Sequence, residues 1–258
     1  MISLEHIQRQ YPENLRGHAG SLLKEYLQYK ILNSIFACDA GQKLNFLGDT
    51  ALRIIYDGCR FSEDLDFDNF DLKVEEFVGL GKVIKKDLEL EGLTAEIDSR
   101  TESAFRLRIR IPGLLYESGF SNLPNQKIMI QVDTEPHNFD YTPEKPILNK
   151  FDVFTQINAV PRDILLSQKI YAAVNRNRSK GRDFFDIVFL YGLGASPNFI
   201  YLNQKLGITN QWQLKSFLLD KTSKLDFELL ARDVEPFLFN PSESSKVRLF
   251  REFIGQQI

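Results

Sequence analysis

The chain has 258 residues, 43% hydrophobic and 26% charged, which describes a globular protein of one large or two modest domains and excludes a disordered one. Its 32 basic and 35 acidic residues leave a net charge of −3, so global charge dictates no partner, and any nucleotide or nucleic-acid site must be a local patch. Two cysteines (Cys38, Cys59), three scattered histidines, no signal-like N-terminus and no membrane-length apolar run argue against a disulfide framework, a structural zinc site and a membrane partner, and predict a cytoplasmic protein.

The first periodic run is "SLLKEYLQYKILNSIFACDA", where Leu22, Tyr26, Leu27, Ile31 and Ile35 recur at helical spacing. "KLNFLGDT" predicts a short strand closing in a glycine turn at Gly48, and "ALRIIY" the start of a helix. In "DLDFD", Asp64, Asp66 and Asp68 alternate with Leu65 and Phe67, the period of a half-buried strand. "VEEFVGLGKVIKKDLELEGL" is helix-like. Two strands follow, "AFRLRIRIPG", with Arg106, Arg108 and Arg110 on one face, and "QKIMIQVDTEP", carrying Asp133 near its end.

Prolines 136, 143 and 146 mark an aperiodic passage, which divides the chain into residues 1–148 and 149–258. Beyond it, "PRDILLSQKIYAAVNRN" and "RDFFDIVFLYGLG" predict two successive helices, with more around 210–220, 224–236 and 243–255. The fold expected is α+β: a mixed sheet flanked by helices, then a mainly helical C-terminal region.

The acidic strand carries the chemistry. Side chains at i and i+2 of a strand point the same way, so Asp64 and Asp66 face one small volume. Hard cations such as magnesium take oxygen ligands and bind through one or two carboxylates plus substrate phosphates. Asp133 would add a third carboxylate if its strand lies alongside. Gly48 lets backbone approach a phosphate, the first N–H groups of the following helix can hold phosphate oxygens, and Thr50 offers a hydroxyl. Together these describe a nucleotidyl-transfer site. An acidic i, i+2 pair alone is common on solvent-facing strands; the order strand, glycine turn, helix, acidic strand, later carboxylate is what raises it.

The stretch "FLGDTALRIIYDGCRFSEDLDFD" resembles the signature of the nucleotidyltransferase AbiEii/AbiGii toxin family of type IV toxin–antitoxin and abortive-infection systems. Gly48, Thr50, Leu52, Tyr56, Arg60, Ser62, Asp64 and Asp66 stand in the matching places. A second block, "QKIYAAVNRNRSKGRDFFDIVFL", resembles the family's later motif. The resemblance implies a nucleotidyltransferase fold in which Asp64, Asp66 and Asp133 hold magnesium or manganese, Gly48, residue 49 and Thr50 meet an NTP, Lys169 binds its triphosphate, and Asp183 lies near the active site. It also implies transfer to a tRNA 3′ end or a protein acceptor, and a cognate antitoxin. Asp49 departs from the pattern, standing where the family has a second glycine, and a carboxylate there repels phosphate unless it turns outward or takes a metal. The rival expectation is therefore a binding module that keeps the fold without turnover.

The remaining charged residues have plainer expectations. Arg106, Arg108 and Arg110 predict a solvated sheet face with acidic partners more than an RNA groove. "NRNRSKGR" predicts a solvated loop, without aromatic residues for base stacking. Arg182 and Asp186 are spaced for a helical ion pair, and Arg60 is expected to hold the acidic strand. His137 is expected at the surface, Trp212 in a packed position, and the phenylalanines of "DFFDIVFLY" in the core. Gly79-Leu-Gly81-Lys82 lacks the spacing of a phosphate-binding P-loop.

Overall fold

A computed structural model describes residues 2–102 and 104–258. The chain forms two compact units, one of residues 1–57 and 61–160, the other of residues 58–60 and 161–258. In chain order the first unit contains α1 (Leu4–Arg9), α2 (Ala19–Phe36), β1 (Leu44–Leu47), α3 (Gly48–Ile55), β2 (Leu65–Asn69), α4 (Val74–Leu90), β3 (Glu96–Arg100), β4 (Phe105–Pro112), the single turn α5 (Leu114–Glu117), β5 (Lys127–Pro136), β6 (Ile147–Lys150) and β7 (Val153–Gln156).

The main sheet has the order β1-β2-β5-β4-β3. Only β2 and β5 run parallel; the other pairs are antiparallel. The alternation legible in the sequence decides which face is core. Leu107, Ile109 and Ile111 of β4, Ile128, Ile130 and Val132 of β5, and Leu65 and Phe67 of β2 are buried. The helices α2 and α4 cover that face: Phe36 meets Phe67 with ring centroids 6.2 Å apart, and Phe77 meets Phe105 at 5.3 Å. Each such side chain contributes roughly 1.5–3 kcal/mol on burial. A one-residue slip of any strand would exchange its core set for its charged set, so register here is strongly specified.

The short helix α3 is fixed by a buried polar network. Arg53 donates to Glu25 of α2 from Nε (2.9 Å) and Nη2 (3.1 Å), and Lys150 of β6 donates to the same carboxylate at 2.8 Å. Lys150 also lies over the Tyr11 ring, 4.2 Å from its centroid. Burial pushes the Glu25 carboxyl up, but Arg53 and Lys150 outweigh burial and hold it below the ordinary value. That anchoring sets the start of α3, and with it Gly48.

The second unit is helical: α6 (Arg162–Asn175), α7 (Gly181–Gly192), α8 (Phe199–Leu206), α9 (Gln211–Lys221), α10 (Phe227–Val234), α11 (Ser245–Arg248) and α12 (Phe250–Gln257). Phe184 and Phe185 are buried as expected, while Phe189 of the same run is only half-buried. Phe184 packs edge-on to Phe227 (5.2 Å) and Phe250 (4.9 Å). Trp212 is a correction, because its side chain is 76% exposed on α9 while Leu214 and Leu218 supply that helix's buried face. No described helix is long and apolar enough to cross a membrane.

Candidate active site

The register of the sheet builds the site. Leu47 of β1 is opposite Asp66 of β2, Asp66 is opposite Asp133 of β5, and Asp133 is opposite Arg106 of β4. Directly opposed residues share a sheet face, so Asp66, Asp133 and Arg106 stand in one row on the face away from the apolar core. Asp64 lies just before β2, and its Oδ1 accepts from the Gln131 backbone N–H at 3.3 Å. The neighbouring strand expected for Asp133 is therefore the acidic strand itself.

Arg106 grips Asp133 with both ends of its guanidinium, Nε to Oδ1 at 2.6 Å and Nη2 to Oδ2 at 3.2 Å. The Gln131 amide donates to the same Oδ2 at 3.4 Å, and its Oε1 accepts from Arg108 Nε at 3.3 Å. Within the arginine stripe, Arg106 thus has the acidic partner expected, itself a candidate metal ligand, while Arg108 meets the neutral Gln131. The sequence held both residues but not their register, so this pairing was invisible there.

Gly48 opens α3 at φ +80°, a left-handed conformation that side chains other than glycine adopt only with strain. A Cβ at this position would also lie 2.6 Å from Asp66 Oδ2. Glycine is thus required twice, by backbone conformation and by the carboxylate packed on it. Asp49 is half-buried in the first turn of α3, and Thr50 is fully buried. The Thr50 hydroxyl bonds Ser62 Oγ at 2.7 Å and also donates to the Asp64 carbonyl, tying α3 to the segment that carries Asp64.

Asp68, third in the alternating series, is diverted. Its carboxylate accepts from Tyr141 Oη at 2.6 Å and lies 3.0 Å from His137 Nδ1. The His137 side chain is only 8% exposed, which corrects the expected surface position. The two residues pin the proline passage to the end of β2.

Burial pushes the Asp64 carboxyl above its ordinary value, and Glu63 and Asp133 push it further, against the Gln131 N–H. Among the described residues no three acidic, histidine or cysteine side chains close into a ready metal cage, consistent with Arg106 holding Asp133. The donor set nonetheless fits magnesium or manganese: hard carboxylate oxygens, two of them from opposed strand positions.

Lys169 and Asp183 are brought together in the second unit. Lys169 Nζ lies 2.7 Å from Asp186 and 3.9 Å from Asp183, and Arg176 Nε lies 3.1 Å from Asp183. Arg60 bonds Asp186 bidentately, Nε at 2.9 Å and Nη2 at 2.7 Å. Asp186 is buried with Arg60 and Lys169 as partners, and Arg182 lies over the Phe237 ring, 5.0 Å from its centroid. Arg60 and Asp186 thus make a long-range pair that no local periodicity announces.

The model of the family described as nucleotidyl transferase AbiEii toxin, type IV TA system, matches residues 30–249. No curated protein matches the chain significantly. Among solved structures, JHP933 from Helicobacter pylori aligns with a TM-score of 0.55 at 18% identity, covering 92% of each chain. A presumed nucleotidyltransferase from the same organism aligns with a TM-score of 0.55 at 20% identity, covering 92% of this chain and 95% of its own. At such identities the likeness to these two shows a shared fold.

Proposed function

The chain belongs to the AbiEii nucleotidyltransferase toxin family of type IV toxin–antitoxin systems, and from that premise we propose that it transfers a nucleoside monophosphate from an NTP to an RNA 3′ end or a protein hydroxyl. In the proposed reaction the acceptor oxygen attacks the α-phosphorus, the bond to the bridging oxygen of the β-phosphate breaks, and pyrophosphate leaves. A bound divalent cation supplies polarisation of the phosphates and charge neutralisation of the leaving group.

The observation that carries this reading is the facing of Asp66 by Asp133 across parallel strands, hard against the Gly48 turn. Asp64 and Asp66 would hold the metal, with Asp133 a third ligand or the acceptor of the hydroxyl proton. The N–H groups opening α3 carry no side-chain cap, which suits them to phosphate oxygens. Thr50 would act through its backbone, since its hydroxyl serves Ser62 and Asp64. Lys169 is assigned to the triphosphate, and Asp183 to the neighbourhood of the active site, on the family pattern. An antitoxin encoded as this chain's partner would restrain the activity.

The second reading, an interaction module without turnover, is favoured by Asp49 in the first turn of α3, where its charge opposes phosphate. Calorimetric titration of each NTP with magnesium, on wild type and Asp66→Ala, separates the two. Magnesium-dependent binding that vanishes in the variant supports the transferase; no binding of any NTP by wild type gives the lead to the module.

A further inference from the structure

Asp133 is a carboxylate of the site already held by a cation. Arg106 is directly opposite it in register and bonds both its oxygens. The pair is not sealed in the core: the Arg106 side chain is 39% exposed and that of Asp133 23%. Hydrogen bonding and charge from Asp133 raise the Arg106 pKa, with Asp64 and Asp66 adding to the same field. The guanidinium thus lies in the field of all three carboxylates. A half-exposed ion pair of this kind contributes little to stability, so its interest lies in what it occupies.

Resting on the transferase reading, we infer that Arg106 is an exchangeable counter-ion of the site: it holds Asp133 until a divalent cation takes that carboxylate, and its freed guanidinium then pairs with the phosphates of the nucleotide. The fork of an arginine matches phosphate as well as carboxylate, so the exchange replaces one bidentate partner with another. Gln131 keeps Asp133 in place throughout, through its amide, while its backbone holds Asp64. The consequence is coupling. A cation arriving alone must break the Arg106–Asp133 pair without compensation, whereas a cation arriving with nucleotide offers Arg106 a new partner. By linkage, each ligand then strengthens the other by the same factor.

The test is manganese binding, which needs no turnover. Mn2+ is titrated into the full chain by calorimetry, with and without a non-hydrolysable NTP analogue, for wild type, Arg106→Gln and Arg106→Lys. Removing the competing charge in Arg106→Gln should raise nucleotide-free Mn2+ affinity roughly tenfold. It should also weaken the analogue and shrink the enhancement each ligand gives the other. Arg106→Lys, which keeps the charge but not the fork, should fall between, and it carries the test should Arg106→Gln lose its cooperative thermal melt. Adding Asp133→Asn to Arg106→Gln should cancel the gain. Unchanged or weaker nucleotide-free Mn2+ affinity in the arginine variants overturns the inference while leaving the transferase intact. Failure of every chain to bind Mn2+ or the analogue overturns both.

Discussion

Two charged clusters in this molecule are built from the same residue types and come out differently. On the open face of the sheet, Arg106 bonds Asp133, Asp66 stands opposite Asp133, and Asp64 is driven above its ordinary pKa by burial and by Glu63 and Asp133. In the helical unit, Arg60, Lys169 and Arg176 meet Asp183 and Asp186. The first cluster is half-exposed and internally repulsive; the second is mostly buried, with Asp186 bonded by two cations at once. Excess charge is tolerated where solvent or a ligand can reach it, while a buried cluster has to be nearly satisfied from within.

The sharpest break of this contrast is at Asp186. Replacing it with alanine removes the bidentate partner of Arg60 and the nearer carboxylate of Lys169 in a buried setting, and a broken buried pair costs roughly 3–5 kcal/mol. Asp133→Ala on the open face should cost under about 1 kcal/mol. Urea unfolding followed by circular dichroism gives both values. Equal costs would mean that the helical cluster is wetter than its burial indicates, and the distinction between the two would fall.

Gly48→Ala comes next. A positive φ forced on a side chain costs roughly 1–3 kcal/mol, and here the new Cβ also meets Asp66 Oδ2. The expected outcome is a lower thermal midpoint together with loss of NTP binding, because the only cheap relief is for Asp66 to move. A variant that loses stability yet binds NTP as wild type does would show that Asp66 is not held where binding needs it.

Much of this was legible beforehand, and the reason is periodicity. The alternation in "DLDFD" and "AFRLRIRIP" became β2 and β4 with the expected faces inward, because one apolar face must be buried whatever the partners are. Helical spacing gave α2, α4, α6 and α7 for the same reason. The elements that escaped notice are short or polar: β3 with "EIDSR", the β6/β7 hairpin just beyond the proline passage, and α8. Their form is set by neighbours rather than by their own pattern. At the site, the glycine turn and the i, i+2 carboxylates were visible as local motifs. The pairing of Arg106 with Asp133 and of Arg60 with Asp186 was not, since each joins residues far apart in the chain (27 and 126 positions), and register and topology leave no mark on composition. His137 misled because a histidine in a proline-rich passage gives no hint of a buried aspartate waiting for it.

The smallest expected effect is the most discriminating, and it concerns pH. Asp64 has a folded-state pKa raised above its ordinary 3.8, first by burial and then by Glu63 and Asp133. A carboxyl raised on folding binds its proton more tightly in the folded chain than in the unfolded one. Its contribution to stability is therefore full below the unfolded value and is lost as pH rises through the raised one. Glu25 does the opposite: its folded value is depressed, so its contribution is present above the unfolded value and fades in acid. The whole-protein profile mixes the two, and the difference between wild type and Asp64→Asn isolates the first. Without added metal, the variant should match wild type near pH 3 and be more stable at pH 7, by under about 1 kcal/mol. Adding Mn2+ at pH 7 should reverse that order, because a cation stabilises only the chain that keeps the ligand. An Asp64→Asn variant less stable than wild type at pH 7 without metal would mean that partners within the protein outweigh burial and acidic neighbours at this carboxylate, and the internal repulsion of the open face would lose its principal support.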